Sequence, residues 1–347
     1  MSGPVTGEGQ AERARSTAGA DPPHTDPRGA HPMTSQPAAG STAHRPGVLS
    51  AHDGVAVATY TWLPEGRPRA FVQIAHGAAE HAQRYDRFAR HLTAHGFGVV
   101  ASDHRGHGAT APLTGGFGVT GEDGWRSIVT DLKAVGDQLR ALYPGAPVLL
   151  LGHSMGSMLA RDYAQEYPDD LAGLLLTGTF RALPGADPAR DTARLEQEIE
   201  AHGPGHISSF VPELFAAFNE PYPHRTGYEW LSRDEAEVDA YAADEACGFP
   251  FSAGFSLDWV RASQKVNDPA NLARMPADLP VHVAVGSDDP CHQSMAQVDA
   301  LLADLRGAGV EDLTFTAYEG ARHEILNETN RDEVQDDLTR WLDAHAL

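Results

Sequence analysis

Val148-Leu149-Leu150-Leu151-Gly152-His153-Ser154-Met155-Gly156-Ser157-Met158-Leu159-Ala160 is the stretch whose reading decides the fold. Four apolar residues run straight into Gly152-His153-Ser154-Met155-Gly156, and Met158, Leu159, Tyr163 and Ala164 follow at helical spacing. The pattern is strand, sharp turn, helix, with a serine at the apex. A side chain at such an apex is held in strained backbone geometry and points out of the sheet. Glycines on either side avoid collision with the neighbouring strand and helix. Ser154 is therefore a candidate nucleophile, with Gly152, His153 and Gly156 shaping its turn.

Working outward, the chain alternates strands and helices. Val48–Ser50 and Val55–Leu63 read as an antiparallel pair around Asp53-Gly54. Ala70–Ala75 is a short buried strand, followed by a helix carrying Tyr85, Phe88, Ala89 and Leu92 that stops at Gly96. Gly98–Ser102 is the next strand, and Trp125 to Leu142 the next helix. Leu171–Thr177, Pro280–Gly286 and Leu313–Tyr318 are further strands, with helices between and after the last two. This rhythm predicts an α/β fold, a mostly parallel sheet covered on both faces.

The rhythm breaks between Arg181 and Pro269, where helical segments occur without a strand. Ile207–Phe218 is amphipathic and Phe249–Trp259 is rich in aromatic residues. We read 181–269 as a helical cap inserted between two parts of one core, 47–180 and 270–347, and covering a pocket. Residues 1–46 show neither a helical nor a strand period and are expected to be disordered, with Met33 an alternative start.

A serine hydroxyl needs a base, and the base needs a carboxylate to orient it. On a sheet of this kind they follow the serine in the order acid, then histidine, at the C-terminal ends of strands. Gly286-Ser287-Asp288-Asp289-Pro290 follows one late strand, and Gly320-Ala321-Arg322-His323-Glu324 follows the last. His323 is the candidate base. The carboxylate is Asp288 or Asp289. Oxyanion donors are expected from the Met155 N–H and from the loop His76-Gly77-Ala78, where glycine admits close backbone approach, through the Ala78 N–H. The pairs His76/His81 and His104/His107 lack any metal-binding spacing and are read as loop-shaping groups, with no metal expected. Cys291 is read as a packed thiol near His323, with a site-adjacent reactive thiol as the alternative.

The 347 residues carry 48 acidic and 26 basic side chains, a net charge of −22, which disfavours nucleic acid and anionic lipid as tight partners. Only two cysteines are present, so a reduced, cytoplasmic protein without a disulfide framework is expected. No apolar run has membrane-spanning length, and none near the N-terminus has the form of a secretory signal.

Four motifs taken together resemble one family. They are His76-Gly77-Ala78-Ala79-Glu80-His81 with Arg84-Tyr85, Asp103-His104-Arg105-Gly106-His107-Gly108, Gly152-His153-Ser154-Met155-Gly156-Ser157, and Tyr318-Glu319-Gly320-Ala321-Arg322-His323-Glu324. In this order they are similar to the monoacylglycerol lipase and bacterial lysophospholipase group of α/β-hydrolases, from about Val48 to the C-terminus. The resemblance implies eight strands with the cap between the sixth and seventh. It implies cleavage of single-acyl esters without a cofactor, and Asp289 as the carboxylate. Trp230-Leu231-Ser232-Arg233-Asp234 and Cys247-Gly248-Phe249 also resemble bacterial lysophospholipases. Family lipases meet membranes through the cap, so transient contact rather than stable insertion is implied. The same catalytic set could serve a non-lipid ester, an amide, a thioester or a carbon–carbon bond, or survive as a non-catalytic binding scaffold.

Overall fold

The structure is a computed structural model that describes residues 3, 44–183 and 187–346. The segment expected to be disordered, and Met33 within it, therefore lie outside the described residues apart from Gly3 and 44–46. The first strand begins at Arg45, two residues before the expected boundary.

In chain order the sheet domain begins with β1 (Arg45–Ser50), β2 (Ala56–Trp62), β3 (Phe71–Ala75), α1 (Asp86–Ala94), β4 (Gly98–Ser102), a four-residue α2 (Ala111–Thr114) and α3 (Gly124–Leu142). It continues through β5 (Val148–His153), α4 (Met155–Glu166) and β6 (Gly173–Thr177). Five helices follow: α5 (Pro188–His202), α6 (Phe210–Asn219), α7 (Glu235–Ala243), α8 (Ala253–Lys265) and α9 (Pro269–Leu272). The chain then returns to β7 (Val281–Gly286), α10 (Met295–Gly307), β8 (Leu313–Tyr318) and α11 (Arg331–His345).

The eight strands form one sheet in the order β1-β2-β4-β3-β5-β6-β7-β8. The first two pairings are antiparallel and all others parallel. The central strands are buried at every position, as continuous apolar runs in a sheet covered on both faces must be. Parallel pairing aligns the C-terminal ends of β3, β5, β7 and β8, so the loops carrying Gly77, Ser154, Asp289 and His323 leave the same edge.

The insertion between β6 and β7 has its own start signals. Asp187 accepts from the Ala189 and Arg190 N–H groups before Pro188, and Ser252 caps α8 through the Phe255 N–H. Ile207, expected in a helix, instead makes an isolated bridge to Ser252 and is exposed. Among the described residues the insertion has no separate core. Phe215, Phe218, Trp230, Phe251 and Trp259 pack in one cluster with Met158 and Leu159 of α4 and with one face of the sheet. Polar ties reinforce this: Lys265 pairs with Asp162 at 2.8 Å, and Trp259 Nε1 donates to Met158 Sδ at 3.4 Å.

Candidate active site

The turn at Ser154 is built by sterics. Ser154 has φ +55° and ψ −121°, a region an L-residue occupies at a cost of about 1–3 kcal/mol. A Cβ on Gly152 would lie 2.4 Å from the Gly156 carbonyl oxygen, and one on Gly156 only 2.1 Å from that of Ala75. Neither contact is tolerable, so both glycines are required for strand and helix to approach this closely. The Ser154 N–H donates to the Thr177 carbonyl at 3.0 Å, and the Ser157 hydroxyl donates to the Ser154 carbonyl at 2.6 Å. These bonds offset part of the strain.

Asp289 is buried, and its Oδ2 accepts from His323 Nδ1 at 2.9 Å. Its other oxygen accepts from the Cys291 N–H at 2.8 Å. Asp288, the alternative, faces solvent. Burial opposes the Asp289 charge, but His323 outweighs it and holds the carboxyl below its ordinary range. Burial likewise opposes an imidazolium at His323, yet the Asp289 charge and hydrogen bond raise its pKa above the ordinary value. Its proton on Nδ1 leaves Nε2 as the basic nitrogen. Cys291 Sγ lies 3.9 Å from that Nε2, and burial pushes the thiol well up, so it is a neutral neighbour.

Ser154 and His323 line one cavity together with Gly77, Ala78, Phe215 and Trp259. No direct Ser154–His323 hydrogen bond occurs among the described residues. Such contacts are often long before substrate binds. Ala78 is partly exposed and its N–H has no partner among the described residues, whereas the flanking amides do: Gly77 donates to Glu80 Oε1 at 2.5 Å and Ala79 to His107 Nε2 at 3.2 Å. One free donor between two fixed ones is the form of an oxyanion loop. Met155 opens α4, whose twelve residues direct a positive dipole end at the same point.

The histidines behind this loop are structural. His76 donates from Nδ1 to the Gly77 carbonyl and accepts the His104 N–H at Nε2. His107 donates to the Arg105 carbonyl while accepting from Ala79. Burial lowers His76, and brings His104 to about 3 and His107 to about 4, so all three stay neutral. His153 pairs with Thr177 Oγ1 at 3.1 Å, and burial with the nearby His323 brings it to about 4.

Three groups at the site went unassigned from sequence. Arg84 bridges Glu80 at 2.6 Å and both oxygens of Glu324 at 2.6 and 2.7 Å, all largely buried. Burial opposes the Glu324 charge, but Arg84 holds it down at about 2. Tyr241, from the insertion, donates to the Ala79 carbonyl at 2.9 Å. The Trp230 ring lies tilted against His323, 5.0 Å between centroids. The motifs contained Glu80, Arg84 and Glu324, but nothing in the sequence pairs side chains 240 positions apart.

One group of metal-type donors lies beside the site: His81, Asp244 and Cys247, within 4.8 Å of one another. His81 and Asp244 pair with each other at 2.9 Å, and burial pushes the Cys247 thiol up. The trio is thus an internal pair beside a neutral thiol. No helix among the described residues is long and apolar enough to cross a membrane.

The family model described as serine aminopeptidase, S33, matches residues 66–330. The chain is 29% identical over 305 residues to the monoacylglycerol lipase of Mycolicibacterium smegmatis, covering 84% of this chain and 94% of the relative. It is 30% identical over 276 residues to human monoglyceride lipase, covering 77% and 79%. A solved carboxyl esterase from Bacillus coagulans superposes with a TM-score of 0.81 at 28% identity, covering 88% of this chain and 100% of that one. Family, relatives and architecture agree, and the chain belongs to this family of serine ester hydrolases with the α/β-hydrolase fold.

Proposed function

We propose that this protein hydrolyses carboxylic esters of single-acyl lipids, of the monoacylglycerol or lysophospholipid type, through Ser154, His323 and Asp289. Ser154 attacks the ester carbonyl while His323 Nε2 takes its proton. Asp289 orients the imidazole and stabilises its cation. The Ala78 and Met155 N–H groups bind the oxyanion, each such donor contributing roughly 10²–10³ in rate. His323 returns the proton to the departing alcohol, leaving Ser154 acylated. A water then repeats the sequence and releases the fatty acid. Every proton in the scheme moves between Ser154, His323, substrate and water.

The observation that carries this reading is the shared cavity. A strained serine and a carboxylate-bound histidine open into a space walled by Phe180, Phe215, Phe218, Leu231 and Trp259. That wall suits an acyl chain. The family description names an aminopeptidase, whose substrate ammonium would need a free carboxylate. Glu80 and Glu324 are the carboxylates lining the cavity, and both are bound to Arg84, which favours the ester. In this reading 181–269 acts as the cap that selects the acyl chain and makes transient membrane contact.

The test is release of fatty acid from 1-monooctanoylglycerol by the wild type and by Ser154→Ala, with fluorophosphonate labelling in parallel. Hydrolysis and labelling are expected in the wild type only. Labelling of the alanine variant, or its near-normal turnover, would overturn the assignment.

A further inference from the structure

Trp230 carries an anomaly that the chemistry above leaves unused. Its indole Nε1–H is buried and has no hydrogen-bond partner among the described residues, although the residue is only 3% exposed. An indole nitrogen is a donor and nothing else, and buried donors are rarely left unpaired. Other tryptophans of the chain obey that rule: Trp62 donates to Asp86, Trp125 to Asp162 and Trp259 to Met158. Trp341 also lacks a partner among the described residues, but it packs against the rings of His282 and His345, away from the cavity. Trp230 lines the cavity that holds Ser154.

The ring cannot turn its donor elsewhere. It is wedged between Phe215 and Phe218, with centroids 5.2 and 5.0 Å away. Its backbone N–H is bound by Asn219 Oδ1 at 3.0 Å, and its carbonyl accepts the His323 N–H at 3.4 Å. Ring and catalytic histidine are thereby held in one register, 5.0 Å between centroids.

That register assigns the donor to one side of the substrate. The departing ester oxygen must lie against His323 to receive its proton. A fixed donor beside the same imidazole faces the next oxygen along the leaving group. Phe180, Leu231 and Trp259 offer an acyl chain apolar contact, while the polar groups of the wall are already engaged: Glu80 and Glu324 by Arg84, His153 by Thr177 and the Tyr241 hydroxyl by the Ala79 carbonyl. We propose that the Trp230 indole N–H donates to a hydroxyl on the carbon adjacent to the one that bears the ester oxygen of the leaving alcohol. Trp230 thereby selects esters of polyols over esters of plain alkanols. This rests on the ester hydrolase reading above.

The test compares two esters of one acid, 2,3-dihydroxypropyl octanoate and propyl octanoate, in the wild type and in Trp230→Phe. The phenylalanine keeps an aromatic filler and deletes the donor. The wild type is expected to favour the dihydroxypropyl ester in kcat/KM, and the variant to lose about 3- to 10-fold of that preference, the worth of one ordinary hydrogen bond. The propyl ester, which offers no such hydroxyl, is the internal reference, and the ratio of the two esters is the quantity read. A merely structural role would lower both esters alike, and that result, or an unchanged preference, overturns the proposal. Should the variant not fold, the wild type decides. Deleting only the adjacent hydroxyl, 2-hydroxypropyl against propyl octanoate, must cost the same factor, and equal kcat/KM overturns it. Fluorophosphonate labelling of Ser154 runs alongside. Labelling with an unchanged preference sinks the role of Trp230 alone, whereas absence of labelling and of all hydrolysis sinks the hydrolase reading beneath it.

Discussion

The two walls of the cavity are built on different principles. The sheet side fixes its groups through backbone geometry: Ser154 at φ +55°, Gly152 and Gly156 where no Cβ fits, and loops leaving one edge of a parallel sheet. The helical side is apolar packing, with Phe215, Phe218, Leu231 and Trp259 facing the same space. Backbone geometry tolerates few sequences, whereas apolar packing tolerates many. The sheet wall should therefore govern whether an ester is cleaved, and the helical wall which one. Substitutions on each wall can break or sharpen that division.

The largest effect is expected at the sheet wall. Ser154→Ala should lower kcat on any ester by roughly 10⁴- to 10⁶-fold with the melting temperature preserved or raised, because the proposed nucleophile is lost while its local strain is not worsened. A loss confined to long-chain esters would break the division at once. Asp289→Asn should come next, at roughly 10⁴-fold in kcat. Its pH profile is the sharper readout. Turnover needs neutral His323, whose pKa is raised, so wild-type kcat/KM should fall as pH drops through a point above 6.5. Without the Asp289 charge, burial dominates and favours the neutral ring, so the acid limb should move to lower pH. An unmoved limb would show that Asp289 does not control His323.

The division also explains what was legible in the sequence. The fold, the strand ends and the placing of Ser154 and His323 at one edge of the sheet could be read, because periodicity and Gly-x-Ser-x-Gly are local signals. Asp289 could be separated from Asp288 only by resemblance, since adjacent carboxylates before a proline differ in burial and not in pattern. The Arg84 bridge and the Trp230 donor were not legible. Each depends on residues brought together across the chain, and the apolar wall has many equivalent sequences.

Arg84 lies at the seam and should act on stability before selectivity. Arg84→Met leaves Glu80 and Glu324 buried without a cation, at a cost of about 3–5 kcal/mol. The sign with pH can be worked out. In the wild type the folded pKa of Glu324 is depressed to about 2 from 4.5. Its stabilising contribution is thus fully present above 4.5 and lost only as pH falls towards 2. In the variant, burial acts on the Glu324 carboxyl without the opposing Arg84 charge and raises it, so acidification from pH 7 to 5 should raise the melting temperature. A parallel fall in both proteins would show the two glutamates to be solvated.

A smaller effect is expected on the helical wall. Phe218→Ala widens the cavity where the wall is apolar, and one methylene is worth about 1 kcal/mol or more in such a pocket. The ratio of kcat/KM for palmitoyl over octanoyl esters should rise several-fold, with p-nitrophenyl acetate barely affected. Equal losses on all three esters would mean that this wall positions the chemistry and does not select.

The smallest effect tests whether the two walls are separable at all. Tyr241 belongs to the helical side, yet its hydroxyl donates to the carbonyl of Ala79, directly after the proposed oxyanion donor Ala78. Ala79 has φ +51°, so its conformation must be held by its neighbours. The Gly248 N–H donates to the same carbonyl at 2.9 Å, so Tyr241→Phe removes one of two restraints, about 1 kcal/mol at most. If the walls act separately, kcat should fall no more than a few-fold, KM should hold, and long and short esters should suffer equally. A loss beyond a hundredfold would mean that the insertion fixes the oxyanion loop itself. Selection and catalysis would then share one restraint, and opening the helical side would switch the site off as well as admit substrate.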